Sequence, residues 1–568
     1  MIKRFLIVLF LVLSITQPLW TQDNDKDNQL RRLVKEYRQA EVTIPYPGTK
    51  AMESLTKAVS ITSVEDKRVH INITPVTVDW FLSQKFDYLI LERPDYKGLV
   101  SAADLTQAME WQTYPTYTQY DSIMQYFSLT YPSLCQLDTI GTSIDGRLVL
   151  ALRISGKGGM IEDKPEVFYS STIHGDETGG FVLMLHLADY LLKSYSIDSR
   201  VKELVDNLWI WINPLANPDG TYTTGNTITS PTRGNSNNFD LNRNFPDPDG
   251  STLPRQKETL DMIKFMREHK FVISANFHSG AEVVNYPWDR WERLHADNDW
   301  FNDISRKYAD TVHANSVIGY MTFLLNGVTN GFDWYPVNGG RQDFVTYELQ
   351  GREVTIELDN QYITPASDLL SLWQYNWRSL LGYLENALYG IHGTVRDGST
   401  SEAVRARVYI TGHDKDSSQV YSDTLTGSFT RLLSPGIWRL TFSSEGYQDT
   451  TVDNVIVGDE QTTRLAVVMR SILPTIDTTE RERPLLFPNP ASTYIWAKLP
   501  ENISGTVNIK IINQSGMKVA DLNKEFVFGY PMFIDVRDLA GGSYTIIFTN
   551  NQSGISYRSR VVLTGRSF

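Results

Sequence analysis

The hydrophobic rhythm of the chain changes several times along its length, and each change marks a segment. Lys3 and Arg4 precede an apolar run over residues 5–13, and polar positions take over near Thr21. That layout predicts a cleavable export signal over residues 1–21; a membrane span needs ~20 apolar residues, and no later stretch of the sequence offers them. Residues 22–110 then alternate short apolar runs (41–45, 69–73, 86–91) with an amphipathic stretch (49–59), which predicts a small α+β domain. Over 111–389 the apolar runs 166–172, 208–213, 271–276 and 353–358 are separated by helical patterns. Continuous apolar strands between helices predict an α/β domain built on a mainly parallel or mixed sheet. Beyond Gly390 the texture becomes all-β, with a run over 432–441 interrupted by Ser434-Pro435-Gly436, and predicts a sandwich over 390–470. A polar stretch rich in Thr, Glu and Arg predicts a linker over 471–484. A second small β module follows over 485–568 and ends in the strand-like 556–563. No internal repeat of fixed period is present in the sequence.

Composition narrows the function classes. The 568 residues exceed one hydrophobic core, and 41% hydrophobic with 21% charged residues is ordinary for folded soluble protein. A formal net charge of −13 without a basic tract argues against nucleic-acid binding. Cys135 is the single cysteine, so no internal disulfide forms; nothing near it in sequence suggests activation, which predicts a buried apolar residue and no nucleophilic role.

The strongest local chemistry lies in Ser171-Thr-Ile-His174-Gly-Asp-Glu177, where an apolar strand ends in a loop carrying an imidazole and a carboxylate. Those two groups suit zinc, but one His-x-x-Glu alone occurs often as a hydrogen-bonded loop. A catalytic zinc takes three protein ligands and keeps one position open, so a further histidine is expected at another strand end, and His278 fits. His186 falls in a helical pattern, His70, His392 and His413 fall in other domains, and His269, His295 and His313 read as solvated helix or loop positions.

From about Tyr114 to Tyr389 the chain resembles the zinc metallocarboxypeptidases, most of all the regulatory N/E subgroup. The motifs that carry the resemblance keep their order: His174-Gly-Asp-Glu177, Asn217-Pro-Asp-Gly220, Asn238-Phe-Asp-Leu-Asn242-Arg243, Asn276-Phe-His278, Gly331-Phe-Asp-Trp-Tyr335 through Gly340, and Thr355-Ile-Glu357. The resemblance implies a mixed-sheet α/β/α catalytic domain with one zinc ion held by His174, Glu177 and His278. It makes Glu357 the general base, Arg233 the group that stabilises the developing oxyanion, and Asn242 with Arg243 the clamp for a free terminal carboxylate. It makes Tyr335 the mobile residue closing over that terminus, with Gly339 and Gly340 loosening its loop. Asp289, with Gln342 beside it, matches the subgroup's selector for a C-terminal Lys or Arg.

The implied activity is removal of single residues from peptide and protein C-termini. The same fold also contains cell-wall peptide carboxypeptidases or amidases, which Asp289 and Gln342 disfavour, and inactive peptide-binding relatives, which the complete set of ligands and base disfavours. The 390–470 module is similar to the transthyretin-like sandwich of the subgroup. The last module, with Phe487-Pro-Asn-Pro-Ala491 and Leu539-Ala-Gly-Gly-Ser-Tyr544, is similar to the sorting domain of the bacterial type IX secretion system. It implies that machinery as a partner and delivery to the surface or medium of a Gram-negative bacterium. The 22–110 domain is loosely similar to the activation domain of digestive carboxypeptidases, with Arg93 and Lys97 as cleavage points, and is expected to restrain activity until removed.

Overall fold

The computed structural model describes residues 20–93, 96–156, 164–248, 254–472, 483–500, 503, 505–527 and 529–564. Most of the expected export signal (1–19) and of the expected linker (473–482) lies outside the described residues.

In the N-terminal unit, strands β1 (Ala40–Pro45), β2 (Ser60–Glu65), β3 (Arg68–Ile73) and β4 (Leu89–Ile90) form an antiparallel sheet in the order β2-β3-β1-β4. Alternation puts Val42, Ile44, Val69, Ile71 and Ile73 inside, against Leu30 and Val34 of the helix Trp20–Tyr37 and Met52 and Leu55 of the helix Thr49–Ala58. Asp66 and Lys67 both take positive φ (48° and 61°), the geometry of a two-residue hairpin turn between β2 and β3.

The second unit is built on an eight-stranded mixed sheet. Its strands are β5 (Cys135–Thr142), β6 (Leu148–Ile154), β7 (Glu166–Ser171), β8 (Trp209–Asn213), β9 (Phe271–His278), β10 (Ala281–Tyr286), β11 (Val328–Asn330) and β12 (Glu353–Asp359). Their order is β11-β10-β12-β9-β7-β8-β6-β5; β8, β7, β9 and β12 run parallel, β10 runs antiparallel to β12 and parallel to β11, and β6 runs antiparallel to both of its neighbours. Both faces are covered. Val167, Tyr169, Ile210 and Ile212 join the core that contains the helices Gly179–Ser194 and Leu369–Glu385, whereas Phe168 and Trp211 point into a second core with the helix Lys257–Glu268. Two covered faces explain why these strands read as unbroken apolar runs, and they give the three-layer α/β/α arrangement. Cys135 is 5% exposed, and burial pushes its thiol up to about 12.

After Gly390 two small sheets pack face to face, one of Gly390–Asp397, Ser428–Arg431 and Thr462–Met469, the other of Arg407–Tyr409, Val420–Tyr421, Gly436–Ser443 and Thr450–Val457. The apolar run expected over 432–441 therefore holds a turn and most of a strand that starts at Gly436. The last module is a further pair of sheets around Ile495, Ile509, Ile534, Ile546 and Phe548.

A buried ion network joins this sandwich to the segments packed on the eight-stranded sheet. Asp297 accepts from Arg352 (2.6 Å), from both Nη atoms of Arg431 (2.7 and 3.0 Å) and from His413 Nε2 (2.8 Å), while Arg431 also donates to Asp414 (2.6 Å). Burial raises the Asp297 carboxyl, but Arg431 and Arg352 outweigh it and hold Asp297 well below the usual carboxylate range. Asp297, His413 and Asp414 have the donor types of a cation site, yet the two guanidinium groups already supply the positive charge. His295 belongs to the same cluster: it is 2% exposed and its Nδ1 accepts the Asp297 N–H (2.9 Å), so the solvated position expected for it is wrong. Its ring packs against Trp288 and Phe301, which supplies the apolar surroundings that the sequence around it conceals. Replacing Arg431 by Ala leaves Asp297 and Asp414 under-compensated in a closed space, and the expected loss is about 3–5 kcal/mol, measured as a fall in Tm by circular dichroism.

Candidate metal centre

The candidate site lies at the C-terminal ends of the parallel strands, where open α/β sheets place ligands. β7 ends at Ser171, and the chain turns through Thr172 and Ile173 to bring His174 and Glu177 back over the sheet. The Asn217–Gly220 motif sets this loop. Asn217 Nδ2 donates to Ile173 O (3.2 Å), Thr221 Oγ1 donates to Gly175 O (2.9 Å), and a Cβ at Gly175 would lie 2.2 Å from the Gly220 backbone. Only glycine permits that approach, so this motif is structural and its residues are supports.

His278 closes β9, directly beside β7 in the sheet. His174 Nδ1, His278 Nδ1 and the Glu177 carboxylate converge, all within 4.8 Å of one another. Nδ1 of His174 lies 2.7 Å from Glu177 Oε1, and Nδ1 of His278 lies 2.7 Å from Oε2. The outer nitrogens are fixed from behind: His174 Nε2 meets Asp240 Oδ1 at 2.9 Å, and His278 Nε2 lies 2.7 Å from the Asn276 side-chain amide. The Asp240 carboxylate holds the His174 proton on Nε2 and leaves its Nδ1 as the ligating lone pair, whereas His278 Nε2 faces the N–H donor Asn276 Nδ2. Burial pushes His278 down to about 4, so it is neutral near pH 7, the state that ligates.

The remaining site residues come from four further segments. Arg233 donates to Glu177 Oε1 (2.9 Å) and to Asp240 Oδ2 (3.0 Å), so its guanidinium borders the ligand cluster. Asn242 and Arg243 sit in the short helical turn Leu241–Arg243, capped by Asp240, whose Oδ1 accepts the Asn242 N–H (2.8 Å). Glu357 is on β12, in register with His278 of β9, and its Oε2 is enclosed without a hydrogen-bond partner among the described residues. Burial, then Glu177, pushes the Glu357 carboxyl well above its usual range. Tyr335 follows the short helix Gly331–Trp334; burial pushes its hydroxyl up to about 12, while Arg243 and Arg233 oppose the shift and Glu357 adds to it. Asp289 is 6% exposed and accepts from Asn285 (2.9 Å) and Gln342 (3.0 Å). Gly339 has a steric reason beyond loop freedom. Its φ is 67°, a Cβ there would lie 2.6 Å from Arg243 O, and its N–H and C=O are held by Asp247 and Phe245.

Every site residue expected from the sequence is therefore in this neighbourhood. Asp240, Asn276, Asn285 and Asp343 were given no role there. Asp240 and Asn276 were the most accessible of them, since each stands inside a quoted motif two positions before a residue that was assigned one.

Residues 120–379 match the family model described as zinc carboxypeptidase. Residues 390–470 match the carboxypeptidase regulatory-like domain, and 485–563 match the secretion system C-terminal sorting domain. Carboxypeptidase M of Mus musculus is 32% identical over 359 residues, covering 60% of this chain and 80% of its own length. The carboxypeptidase N catalytic chain of Homo sapiens is 30% identical over 400 residues, covering 62% of this chain and 84% of its own. The chain belongs to the zinc carboxypeptidase family. Carboxypeptidase D of Homo sapiens is 34% identical over 359 residues, 59% of this chain, and the match spans only 25% of that longer relative.

As a member of this family the chain has residues that fit its metal. Two imidazole nitrogens and one carboxylate are the donor set of a catalytic zinc with one open position, and each histidine has an outer partner.

Proposed function

We propose that the chain is an exported carboxypeptidase that hydrolyses the last peptide bond of peptides and proteins and prefers C-terminal Lys or Arg. The observation that carries this reading is the meeting of the ligand triad with Glu357, across paired strands, beside the turn that holds Asn242 and Arg243. His174, Glu177 and His278 would hold one zinc ion, which when bound supplies a Lewis acid and lowers the pKa of water near it.

The protein groups divide the remaining work. Arg243 and Asn242 bind the substrate's terminal carboxylate by charge-assisted hydrogen bonds, which restricts cleavage to the last bond. Glu357, raised in pKa, accepts a proton from the attacking water and passes it to the amide nitrogen as the bond breaks. Arg233 faces the oxygen of the scissile carbonyl as negative charge develops there. Tyr335 closes over the terminus and excludes bulk water.

Asp289 faces the terminal side chain. Burial pushes its carboxyl up to about 6, with Asn285 and then Arg243 opposing and Glu353 adding to the shift. Below that pH Asp289 is neutral and offers no countercharge; above it, the carboxylate favours a cation and penalises an apolar group. The ratio of kcat/KM for matched Arg- and Leu-terminated peptides is therefore expected to rise with pH through about 6, and Asp289→Asn is expected to flatten that rise. A pH-independent ratio in the native enzyme contradicts the assignment of Asp289.

The sorting-domain match over 485–563 supports delivery through the type IX machinery to the cell surface or medium. No helix among the described residues is long and apolar enough to cross a membrane.

A further inference from the structure

Three consecutive residues at the start of the helix Arg341–Glu348 reach three parts of the substrate site. The Arg341 N–H donates to Asn242 Oδ1 (2.9 Å), and Gln342 Nε2 donates to Asp289 Oδ1 (3.0 Å). The carboxylate of Asp343 turns the other way: its Oδ1 accepts the Asp289 N–H (3.0 Å) and its Oδ2 accepts the Arg290 N–H (2.8 Å). Asp343 is 3% exposed. One of its oxygens is thus committed to the backbone of Asp289 and the other to that of the next residue, Arg290.

We propose that Asp343 is the positioning residue of the side-chain pocket, fixing where the Asp289 carboxylate stands relative to the Asn242–Arg243 clamp and thereby setting the preference for basic over neutral C-terminal residues. The inference rests on the reading of Asp289 as the selector. Its physical basis is acceptor geometry. Two successive backbone N–H groups in a closed space need two acceptors at a fixed spacing, and one carboxyl group supplies both. An amide of the same shape supplies one acceptor and turns a donor toward the second N–H. Hydroxyl side chains are too short to span both.

The cost of using an acid here is visible in the surroundings. Burial, then the neighbouring Asp289, pushes Asp343 well above the usual carboxylate range, its two backbone hydrogen bonds oppose the shift, and Asp247 adds to it. Two carboxyl groups therefore share one buried pocket, a repulsive arrangement that a purely structural tether would not need. The same helical turn also holds Asn242 through the Arg341 N–H, so the separation between the terminal-carboxylate site and the side-chain site is set within three residues. A long cationic side chain reads that separation as its length.

The test measures kcat and KM of the zinc-loaded full chain on peptides that differ only in a terminal Arg or Leu. The enzymes are the native form, Asp343→Asn, Asp289→Asn and the double variant. For Asp343→Asn, KM for the Arg peptide is expected to rise about tenfold with kcat within about threefold, and kcat/KM for the Leu peptide to fall less than about threefold. Because Asp343 acts through Asp289, the Arg-to-Leu ratio of the double variant is expected to equal that of Asp289→Asn. Equal losses on both peptides, an unaltered ratio in Asp343→Asn, or additive losses in the double variant would each overturn the proposal. If Asp343→Asn does not fold, Asp343→Glu keeps two acceptors on an arm longer by one methylene; it is expected to lower the ratio, and an unaltered ratio overturns the proposal equally. Absence of any Arg preference in the native enzyme would remove the Asp289 reading itself, whereas a native preference that Asp343→Asn leaves intact removes only the role of Asp343.

Discussion

Glu357→Gln is expected to lower kcat by about 10³-fold while leaving KM within a few-fold and Tm unchanged or higher. The drop follows from losing the proposed base, a carboxyl raised in pKa that stands beside the candidate ligands. The stability expectation follows from the same environment. Glu357 is a closely enclosed carboxyl whose Oε2 has no partner among the described residues and whose neighbour is Glu177, so a neutral side chain of the same shape relieves repulsion. Rate measured on an Arg-terminated peptide, with Tm from circular dichroism, separates the two effects. A variant that retains more than about a tenth of the native kcat would remove Glu357 from the role of base.

Arg243→Met is the second large effect. Methionine keeps most of the side-chain volume but removes the planar donor pair, and about 3–4 kcal/mol of binding to the terminal carboxylate should go with it. The expected result is a fall of about 10²–10³-fold in kcat/KM for peptides with a free C-terminus. Peptide amides, which lack the carboxylate, should be cut slowly by the native enzyme and no more slowly by the variant. A variant that weakened both substrates equally would place Arg243 in general support of the site.

The candidate ligand set was legible because His174 follows an apolar strand, Glu177 stands three positions after it and His278 closes another strand, with the family motifs giving their order. The mixed sheet was legible for a related reason: Phe168 and Trp211 face one core while their neighbours Val167, Tyr169, Ile210 and Ile212 face the other, so these strands carry apolar residues at successive positions. Residues that act through another residue were hidden. Asp343 meets Asp289 only because a helix start and a loop 54 positions apart in sequence come together, and no local pattern encodes that pairing. His295 was misread for a similar reason, since no local pattern shows that Trp288 and Phe301 wall its position. The helix Trp20–Tyr37 went unnoticed because Leu30 and Val34 are the apolar contacts of an otherwise polar segment. β2 was missed because Ser and Thr dilute its alternation.

The most direct test is release of free amino acid from peptides identical except for a terminal Arg, Lys, Phe or Asp, with zinc-loaded and chelator-treated enzyme side by side. Release of Arg and Lys well ahead of Phe and Asp, lost on chelation and restored by zinc, is the expected result. Release that survives chelation, or no release from any of the four peptides by zinc-loaded enzyme, would contradict a metal-dependent carboxypeptidase built on His174, Glu177 and His278.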